Sequence, residues 1–426
     1  MKKLLGTILG TAMIFPCVSA KFAEYRQEGK AVAVIAAKAE DISEEKPSGN
    51  QLECNSVSAR AEGNTESGTV DLRLNAKAAY MMDWASGTEI YSQNACDRLP
   101  IASMCKIMTL ILCFDAISSG NLSLDEQITV SDNAASMGGS QVFLEANAQY
   151  PVRELIKSIV VCSANDSCVA MAERVAGSES LFVDRMNARA KELGAENTLF
   201  ANCTGLPKEP QYSCARDVAK MLSELVSHEE YFSFSKIWTD RFEHPKGRYT
   251  DISNTNRLVR FYEGCDGGKT GFTSQAGFCL AATAKRGSMR LISVVIGEDS
   301  SDHRFGDIRT MFDYAFATYT LKTVVDDNNP LNEIAEVSGG KSRTVSLRPE
   351  RSSHIFAKRG DTEDVSIDIR IGTRIKAPVK AGDKVGEIIV YRDRVEIDRV
   401  NIVANESVAA ASFVDHFRRI AEDWNF

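Results

Sequence analysis

The sequence predicts an α+β fold that is followed by a small all-β domain and a C-terminal amphipathic helix. In residues 71–322, strand-like segments come first and last and helical segments lie between them, which is typical of helices packed on an antiparallel sheet. After the run from Asp326 to Pro330, the pattern changes to short alternating β-like segments over residues 331–405. A chain of 426 residues is long enough for both domains.

The first 20 residues have the pattern of a secretory signal peptide. Two lysines precede an apolar stretch over residues 4–15, and small residues at positions 18–20 form a cleavage site. The apolar stretch is too short to span a bilayer. Residues 21–70 are polar and lack periodic apolar positions, which predicts a flexible linker. We therefore expect the mature chain to be exported and to act outside the cytoplasm.

The elements predicted for residues 71–322 can be read in order. Two short strands flank a turn at Ser86-Gly87. An apolar helix begins near Pro100, a residue favoured in the first turn, and ends near Gly120. The remaining predicted elements are helices over most of residues 150–200, a β-hairpin at 277–297 and a last helix at 305–321.

The tail, residues 406–426, is predicted to be an amphipathic helix. Its apolar side chains recur at helical spacing, at Phe413, Phe417, Ile420 and Trp424. Such a helix can lie in a membrane surface, or it can pack against the β-domain. Acidic groups outnumber arginines in the tail, which weighs against the membrane, and both interpretations stay open.

Net charge and cysteine usage limit the possible partners. A formal charge of −8 at pH 7 argues against nucleic acid, whose phosphates favour a basic surface. The 11 cysteines show no Cys-x-x-Cys spacing and do not cluster with the 5 histidines, so we expect no zinc site. Several cysteines lie within apolar segments, which favours unpaired buried thiols over a disulfide framework.

Ser103 and Lys106 pose a chemical question, because a lysine stands in an apolar helix one turn from a serine. The Ser-x-x-Lys pattern is common and recurs at Ser43, Ser233 and Ser338, but only the Ser103 copy lies in an apolar helix. Burial of an unpaired ammonium is costly and lowers its pKa, which makes Lys106 a plausible proton acceptor. A serine beside such a base is a candidate nucleophile.

Two further short motifs complete a candidate site. Lys269-Thr270-Gly271 occurs once, just before the predicted hairpin, in a glycine-rich stretch that lets a ligand approach the backbone. Taken alone, this triplet is equally well explained as an exposed turn. Among several Ser-x-Asn matches, Ser163-Ala164-Asn165 lies where an apolar helix ends, and we prefer it to Ser131-Asp132-Asn133 in a polar stretch.

The order Ser-x-x-Lys, Ser-x-Asn and Lys-Thr-Gly resembles that of the penicillin-recognising serine enzymes. More closely, the chain resembles the low-molecular-mass penicillin-binding proteins that act as D-alanyl-D-alanine carboxypeptidases. The resemblance runs from about Leu72 to Asn405 and includes IASMCKIMT, VVCSANDSCVAMAE, NTLFANCTGL, GGKTGFTSQAGFCLAATA and KAPVKAGDKVGEI. It implies a penicillin-binding/β-lactamase-like transpeptidase domain over residues 71–322, peptidoglycan stem peptides as substrates, and covalent inhibition by β-lactams.

The resemblance also implies roles for single residues. Ser103 attacks the peptide carbonyl between two terminal D-alanines, Lys106 takes its proton, and Ser163 passes a proton to the departing amine. The backbone N–H groups of Ser103 and Phe272 form the oxyanion hole, and a guanidinium fork suits the substrate carboxylate. The implied substrate-binding residues are Asn165, Lys269, Thr270, Gly271, Phe272 and Arg304, although Arg304 can also be a surface arginine in a polar turn. Two departures from the family pattern are Ala164 in place of glycine and the unusual Cys105.

Two other functions are less consistent with the sequence. A class A β-lactamase shares the three motifs but needs a deacylating glutamate, and its Glu-x-x-Leu-Asn pattern is missing from KELGAENTLFANCTGL. A non-catalytic wall-binding scaffold is disfavoured because all three motifs are intact. The resemblance therefore implies a penicillin-sensitive serine-type D-Ala-D-Ala carboxypeptidase that needs no metal or cofactor.

Overall fold

The computed structural model describes residues 70–361, 364–372 and 374–423. The predicted signal peptide, residues 1–20, and the predicted linker up to residue 69 lie outside the described residues.

The strands of the described chain are, in order, β1 (Ala78–Asp83), β2 (Glu89–Gln93), β3 (Gln127–Thr129), β4 (Gln149–Pro151), β5 (Thr239–Glu243), β6 (Tyr249–Ser253), β7 (Cys265–Thr273), β8 (Gly277–Arg286), β9 (Met289–Glu298), β10 (Tyr319–Val325), β11 (Ile334–Ser338), β12 (Thr344–Pro349), β13 (Ser353–Lys358), β14 (Val365–Ile371), β15 (Ile375–Lys376), β16 (Lys384–Arg392) and β17 (Val395–Ala404). The α-helices are α1 (Lys106–Ser118), α2 (Asp132–Ala135), α3 (Val152–Cys162), α4 (Asn165–Ala176), α5 (Glu179–Glu192), α6 (Ala215–Leu225), α7 (Tyr231–Ser235), α8 (Leu258–Phe261), α9 (Ser301–Thr318) and α10 (Phe413–Asp423). Short 3₁₀ helices span Ala102–Cys105 and Pro245–Gly247.

A five-stranded antiparallel sheet with the order β2-β1-β9-β8-β7 forms the centre of the first part. Both faces of this sheet are covered, because alternate residues of one strand enter different cores. Tyr80 and Met82 pack with α1 and α6, whereas Ala79 and Met81 pack with α9. The predicted α+β arrangement is therefore confirmed.

Most predicted elements of this part are confirmed. The strands around Ser86-Gly87 are β1 and β2, the helices of residues 150–200 are α3, α4 and α5, and the predicted hairpin is β8–β9. Ser131 caps α2 by accepting a hydrogen bond from the N–H of Ala134 at 3.0 Å, which explains that Ser-x-Asn match structurally.

One alternative and one prediction need correction. The alternative that Lys269-Thr270-Gly271 is an exposed turn is wrong, because the triplet lies inside the edge strand β7 and Lys269 is only 2% exposed. The sequence does not show this strand because glycine has low strand propensity. Glycine is needed at position 268, since a Cβ there would lie 2.3 Å from the carbonyl oxygen of Ala281. The last helix, expected over residues 305–321, ends at Thr318, where β10 begins and pairs with β13.

The second part is all-β, as predicted. Its six-stranded sheet has the order β14-β16-β17-β12-β11-β15, in which only β11 and β15 pair in parallel among the described strands. β10 and β13 form a separate two-stranded sheet. The range predicted for the first domain thus ends within a strand that pairs with the second part, and the exact domain limits stay predictions.

The predicted tail helix is present as α10, but it begins at Phe413 and not at residue 406, because Val408 and Ala410 form bridges to the β-domain. Its Phe413 and Phe417 side chains are 84% and 66% exposed, while the guanidinium of Arg419 donates a 2.7 Å hydrogen bond to the carbonyl oxygen of Gly340. Trp424 and the side chain of Ile420 lie outside what the structure describes. No helix within the described ranges is long and apolar enough to cross a membrane.

Thiols in the described chain are mostly buried, in agreement with the expectation of unpaired cysteines. Cys105 and Cys113 on the apolar helix and Cys168 and Cys203 beside it are free and fully buried. Burial is the main reason that the pKa of the Cys105 thiol lies above its usual range.

Candidate active site

Ser103 lies in the 3₁₀ turn that precedes α1. Ala102, just before it, has a left-handed backbone with φ of 47°, a conformation that a non-glycine residue adopts only when the surroundings hold it. The Nζ atom of Lys106 lies 3.0 Å from Ser103 Oγ, and the lysine side chain is fully buried. The same Nζ donates a 2.6 Å hydrogen bond to the carbonyl oxygen of Thr204. The structure therefore brings the predicted nucleophile and base into direct contact.

Ser163 and Asn165 lie at the junction of α3 and α4. Ser163 is the residue that caps the C-terminus of α3, and it has a left-handed conformation with φ of 66°. Asn165 is the first residue of α4. Asn165 donates from Nδ2 to the carbonyl oxygen of Gly138 at 2.8 Å. The Oγ atom of Ser163 and the Oδ1 atom of Asn165 are buried without a hydrogen-bond partner. Because buried polar atoms are normally paired, these two atoms are available for a ligand.

Lys269 and Thr270 lie on β7 at the edge of the central sheet. Burial, followed by the positive charge of Lys106, lowers the pKa of the Lys269 ammonium to about 7. Lys269 Nζ donates to the carbonyl oxygen of Thr270 at 3.2 Å, and Thr270 Oγ1 donates to Thr255 Oγ1 at 2.8 Å. The site thus contains two buried lysines, and the charge of Lys106 contributes to the lowered pKa of Lys269.

Gly271 lets β7 pass close to the nucleophile. A Cβ at this position would lie 2.7 Å from the carbonyl oxygen of Ile101 and 3.2 Å from the backbone nitrogen of Ser103. The next residue, Phe272, has a half-exposed ring that packs on Phe278, with 4.3 Å between the centroids. Glycine therefore permits the close approach of the strand to the Ser103 turn.

Arg304 stands in the first turn of α9, between the rings of Phe278 and Phe305. Its Nη1 atom donates to the carbonyl oxygen of Gly271 at 3.3 Å, and its Nε atom is buried without a partner. Burial is the main cause that lowers its pKa to about 10. Arg304 is therefore joined to the end of the Lys-Thr-Gly strand and is not an isolated surface arginine.

Sequence reasoning missed several groups that hold this site together. The carbonyl of Thr204 contacts Lys106, Thr255 pairs with Thr270, and Tyr231 fixes Gly268 by accepting a 2.9 Å hydrogen bond from its N–H. Thr204 lies in NTLFANCTGL, a segment that supports the family resemblance, but nothing in its letters indicates a backbone carbonyl aimed at a lysine. Tyr231 belongs to the short helix α7, in which the Ser-x-x-Lys match at Ser233 gives no indication of the contact that Tyr231 makes.

Within the described part of the chain, two groups of histidine and carboxylates are close enough to suggest a metal ion, and neither group contains a predicted site residue. Asp115 and Glu224 lie near His228, but Arg189 already forms ion pairs with both carboxylates. The second group joins Glu298 to Asp299 and His303. Arg189 supplies the positive charge in the first group, and Asp299 and His303 in the second are largely exposed.

The chain matches two known families and several characterised relatives. Residues 64–300 match the family described as D-alanyl-D-alanine carboxypeptidase, and residues 319–410 match the penicillin-binding protein 5 C-terminal domain. The chain is 37% identical to D-alanyl-D-alanine carboxypeptidase DacF of Bacillus subtilis, over 84% of this chain and 92% of that relative. It is 32% identical to DacC of Escherichia coli, over 86% of this chain and 90% of that protein.

Among solved structures, the fold is similar to a peptidoglycan synthesis regulatory factor (PBP3) from Streptococcus pneumoniae. The TM-score is 0.66 at 27% identity, over 79% of this chain and 99% of that one. The site geometry and the similarity in sequence and fold therefore agree on the same class of protein.

Proposed function

We propose that this chain, which belongs to the D-alanyl-D-alanine carboxypeptidase family, uses Ser103 as the nucleophile of its reaction. The protein is a hydrolase of the serine-type D-Ala-D-Ala carboxypeptidases, low-molecular-mass penicillin-binding proteins that trim peptidoglycan stem peptides. The observation that carries the proposal is the 3.0 Å contact between Ser103 Oγ and the buried amine of Lys106. An amine held there can accept the serine proton as the hydroxyl attacks.

The reaction would run in two steps. Ser103 Oγ adds to the carbonyl carbon between the two D-alanines, its proton passes to Lys106, and the oxyanion is held by the N–H groups of Ser103 and Phe272. The terminal D-alanine leaves as an amine that takes a proton from the Ser163 hydroxyl, whose Oγ has no hydrogen-bond partner among the described residues. Protonated Lys106 then returns a proton to Ser163, so that both groups regain their starting state. Water then hydrolyses the acyl-enzyme. A β-lactam would acylate the same serine and block the second step.

The substrate carboxylate would be bound by polar and basic side chains around Gly271. Lys269, Thr270 and Arg304 supply an ammonium, a hydroxyl and a guanidinium whose Nε has no hydrogen-bond partner. Asn165 would orient the peptide through its unpartnered Oδ1. A planar guanidinium is well suited to a carboxylate, since it can donate two parallel hydrogen bonds.

Export and membrane contact are also proposals. The basic and apolar pattern of residues 1–20 supports export. The exposed phenylalanines of α10 support contact of the tail with the outer face of the cytoplasmic membrane, because transfer of apolar side chains from water into a membrane surface is favourable. The bond from Arg419 to Gly340 supports the alternative, in which the tail rests on the β-domain.

The test is release of D-alanine from a pentapeptide that ends in D-Ala-D-Ala, with wild type and Ser103→Ala measured in parallel. Release by wild type alone supports the assigned nucleophile. Equal release by Ser103→Ala would overturn the assignment of the nucleophile while leaving the family membership intact. A third variant, Ser163→Ala, tests the proton donor, and we expect it to lower kcat by about 10²-fold or more.

A further inference from the structure

The 202–206 turn, with the sequence Asn-Cys-Thr-Gly-Leu, lies against the catalytic helix and is almost fully buried. Three consecutive carbonyl oxygens of this turn accept hydrogen bonds from side chains of the helix region. The bonds are Cys105 Sγ to Asn202 O at 3.2 Å, Thr109 Oγ1 to Cys203 O at 2.7 Å, and Lys106 Nζ to Thr204 O at 2.6 Å. The turn therefore meets the helix on both sides of the proposed base.

The side chain of Asn202 fixes the shape of the turn. Its Oδ1 atom accepts from the N–H of Gly205 at 2.7 Å and from the N–H of Thr204 at 3.2 Å. Its Nδ2 atom donates to the carbonyl oxygen of Leu206 at 2.8 Å. The amide of Asn202 thus binds the peptide group that contains the Thr204 carbonyl, and it also binds backbone groups before and after it.

Gly205 brings the turn close to the nucleophile as well. It has a φ of 80°, and a Cβ there would lie 2.0 Å from the carbonyl oxygen of Ala102, the residue before Ser103. The turn is therefore packed on both Ser103 and Lys106, and a shift of the turn would alter the distance between them.

We propose that Asn202 is a positioning residue for the general base, and that it acts through the Thr204 carbonyl. A neutral amine has two N–H donors and one lone pair. When one N–H is directed to the fixed Thr204 oxygen, rotation of the amine is restricted and the lone pair can face the Ser103 hydroxyl. Such orientation matters because misplacement of a reacting group by about 1 Å can cost about 10²-fold in rate. The inference rests on the proposed roles of Ser103 and Lys106.

The experiment compares Asn202→Ala with a matched control in the full chain. Asn187 holds a neighbouring segment in the same manner, since it donates to Phe200 O at 2.9 Å and accepts from Phe200 N at 2.8 Å, and both of these bonds are to a residue before the turn. We expect Asn202→Ala to lower the limiting rate of acylation by penicillin by about 10²-fold, with a half-saturating concentration changed less than about threefold. Asn187→Ala should keep the wild-type acylation rate.

Further measurements separate positioning from a purely structural role. Asn202→Asp keeps the oxygen that accepts from the N–H groups of Thr204 and Gly205, and it should restore part of the acylation rate. Thr109→Val, which loses one bond to the turn, should lower the rate by about threefold to tenfold and serves if Asn202→Ala does not fold. An unchanged limiting rate of acylation in Asn202→Ala, or in Thr109→Val in that case, would overturn the inference. Normal acylation of Lys106→Ala would instead contradict the proposed base.

Discussion

At the scale of single residues, the cleft is built from polar groups that are buried and only partly satisfied. Lys106 has two partners, Ser103 Oγ and Thr204 O, while Ser163 Oγ and Asn165 Oδ1 have none. Buried polar atoms without partners are costly in a folded protein, so the pair at Ser163 and Asn165 indicates a place for a ligand. Lys269, with its pKa lowered to about 7, can change its protonation state near neutral pH.

Glu298 is a buried acid whose titration should affect stability. Burial and the neighbouring Asp307 raise its pKa to about 8, from an ordinary value near 4.5. Between these two values the folded state holds a proton that the unfolded state releases, so this group makes the free energy of unfolding fall as the pH rises from about 4.5 to about 8.

We expect Glu298→Gln to remove this dependence. Relative to wild type, the variant should gain about 3 to 4 kcal/mol in the free energy of unfolding between pH 5 and pH 8. Urea unfolding at the two pH values measures the difference. A constant difference between variant and wild type across this range would show that Glu298 does not carry the raised pKa.

At the scale of elements, the site depends on how closely β7 approaches the 3₁₀ turn that precedes α1. Gly271 faces Ile101 and the backbone nitrogen of Ser103 at distances that leave no room for a methyl group. Gly306, in the first turns of α9, has open space around it and serves as a control.

Gly271→Ala should therefore lower the rate of acylation by penicillin by about 10²-fold, because the strand must move away from the nucleophile. Gly306→Ala should acylate at the wild-type rate and should be slightly more stable, since alanine favours helix. The check is stopped-flow acylation together with thermal unfolding. Wild-type acylation by Gly271→Ala would mean that the close approach is not needed for reaction.

The tail helix gives a second prediction at this scale. Replacement of both exposed phenylalanines, Phe413→Ser with Phe417→Ser, should abolish flotation of the chain with vesicles that contain anionic phospholipids. Arg419→Ala is the complementary variant, since it breaks the bonds to Gly340 and Lys341 and should leave flotation intact or increased. Absence of flotation for wild type and for Arg419→Ala would favour the tail as a part of the β-domain.

Sequence patterns predicted the elements whose side chains carry the signal. The apolar helix after Ser103, the helices of residues 150–200 and the hairpin β8–β9 all follow from periodicity, and the motifs found Ser103, Lys106, Ser163 and Lys269. The strand β7 was missed because its glycines have low strand propensity, while their role is to allow close packing. The Thr204 carbonyl was missed because every residue has a backbone carbonyl, and the residue type does not show where that group points.

At the scale of the whole molecule, the second part contacts the first through β10 and β13. Phe356 of β13 is buried in the core that contains α9, and its ring stacks on Tyr319 with 4.8 Å between centroids. Arg359 donates to the carbonyl oxygen of Phe316 at 3.1 Å, near the end of α9. The β-domain therefore supports the helix that carries Arg304 at its other end.

Phe356→Ala should lower the free energy of unfolding by about 3 kcal/mol, since it removes a buried ring from this contact. Ile367→Ala, at an exposed position of the β-domain, should change it by less than about 0.5 kcal/mol. Calorimetry in the presence and absence of a bound β-lactam shows whether the peptidase part is affected. If Phe356→Ala leaves the thermal unfolding transition of the peptidase part unchanged, the two parts are energetically independent.

The central claim is that Ser103 is the nucleophile and that Lys106 activates it. The most direct measurement is mass spectrometry of the chain after brief exposure to penicillin, with peptide mapping of the adduct, for wild type, Ser103→Ala and Lys106→Ala. Lys157→Ala is the control, since Lys157 is also a buried lysine but pairs with Glu154 and Asp240. We expect one adduct on Ser103 in wild type and in Lys157→Ala, none in Ser103→Ala, and a rate lowered by about 10²–10⁴-fold in Lys106→Ala. An adduct on another residue, or normal acylation of Lys106→Ala, would contradict the central claim.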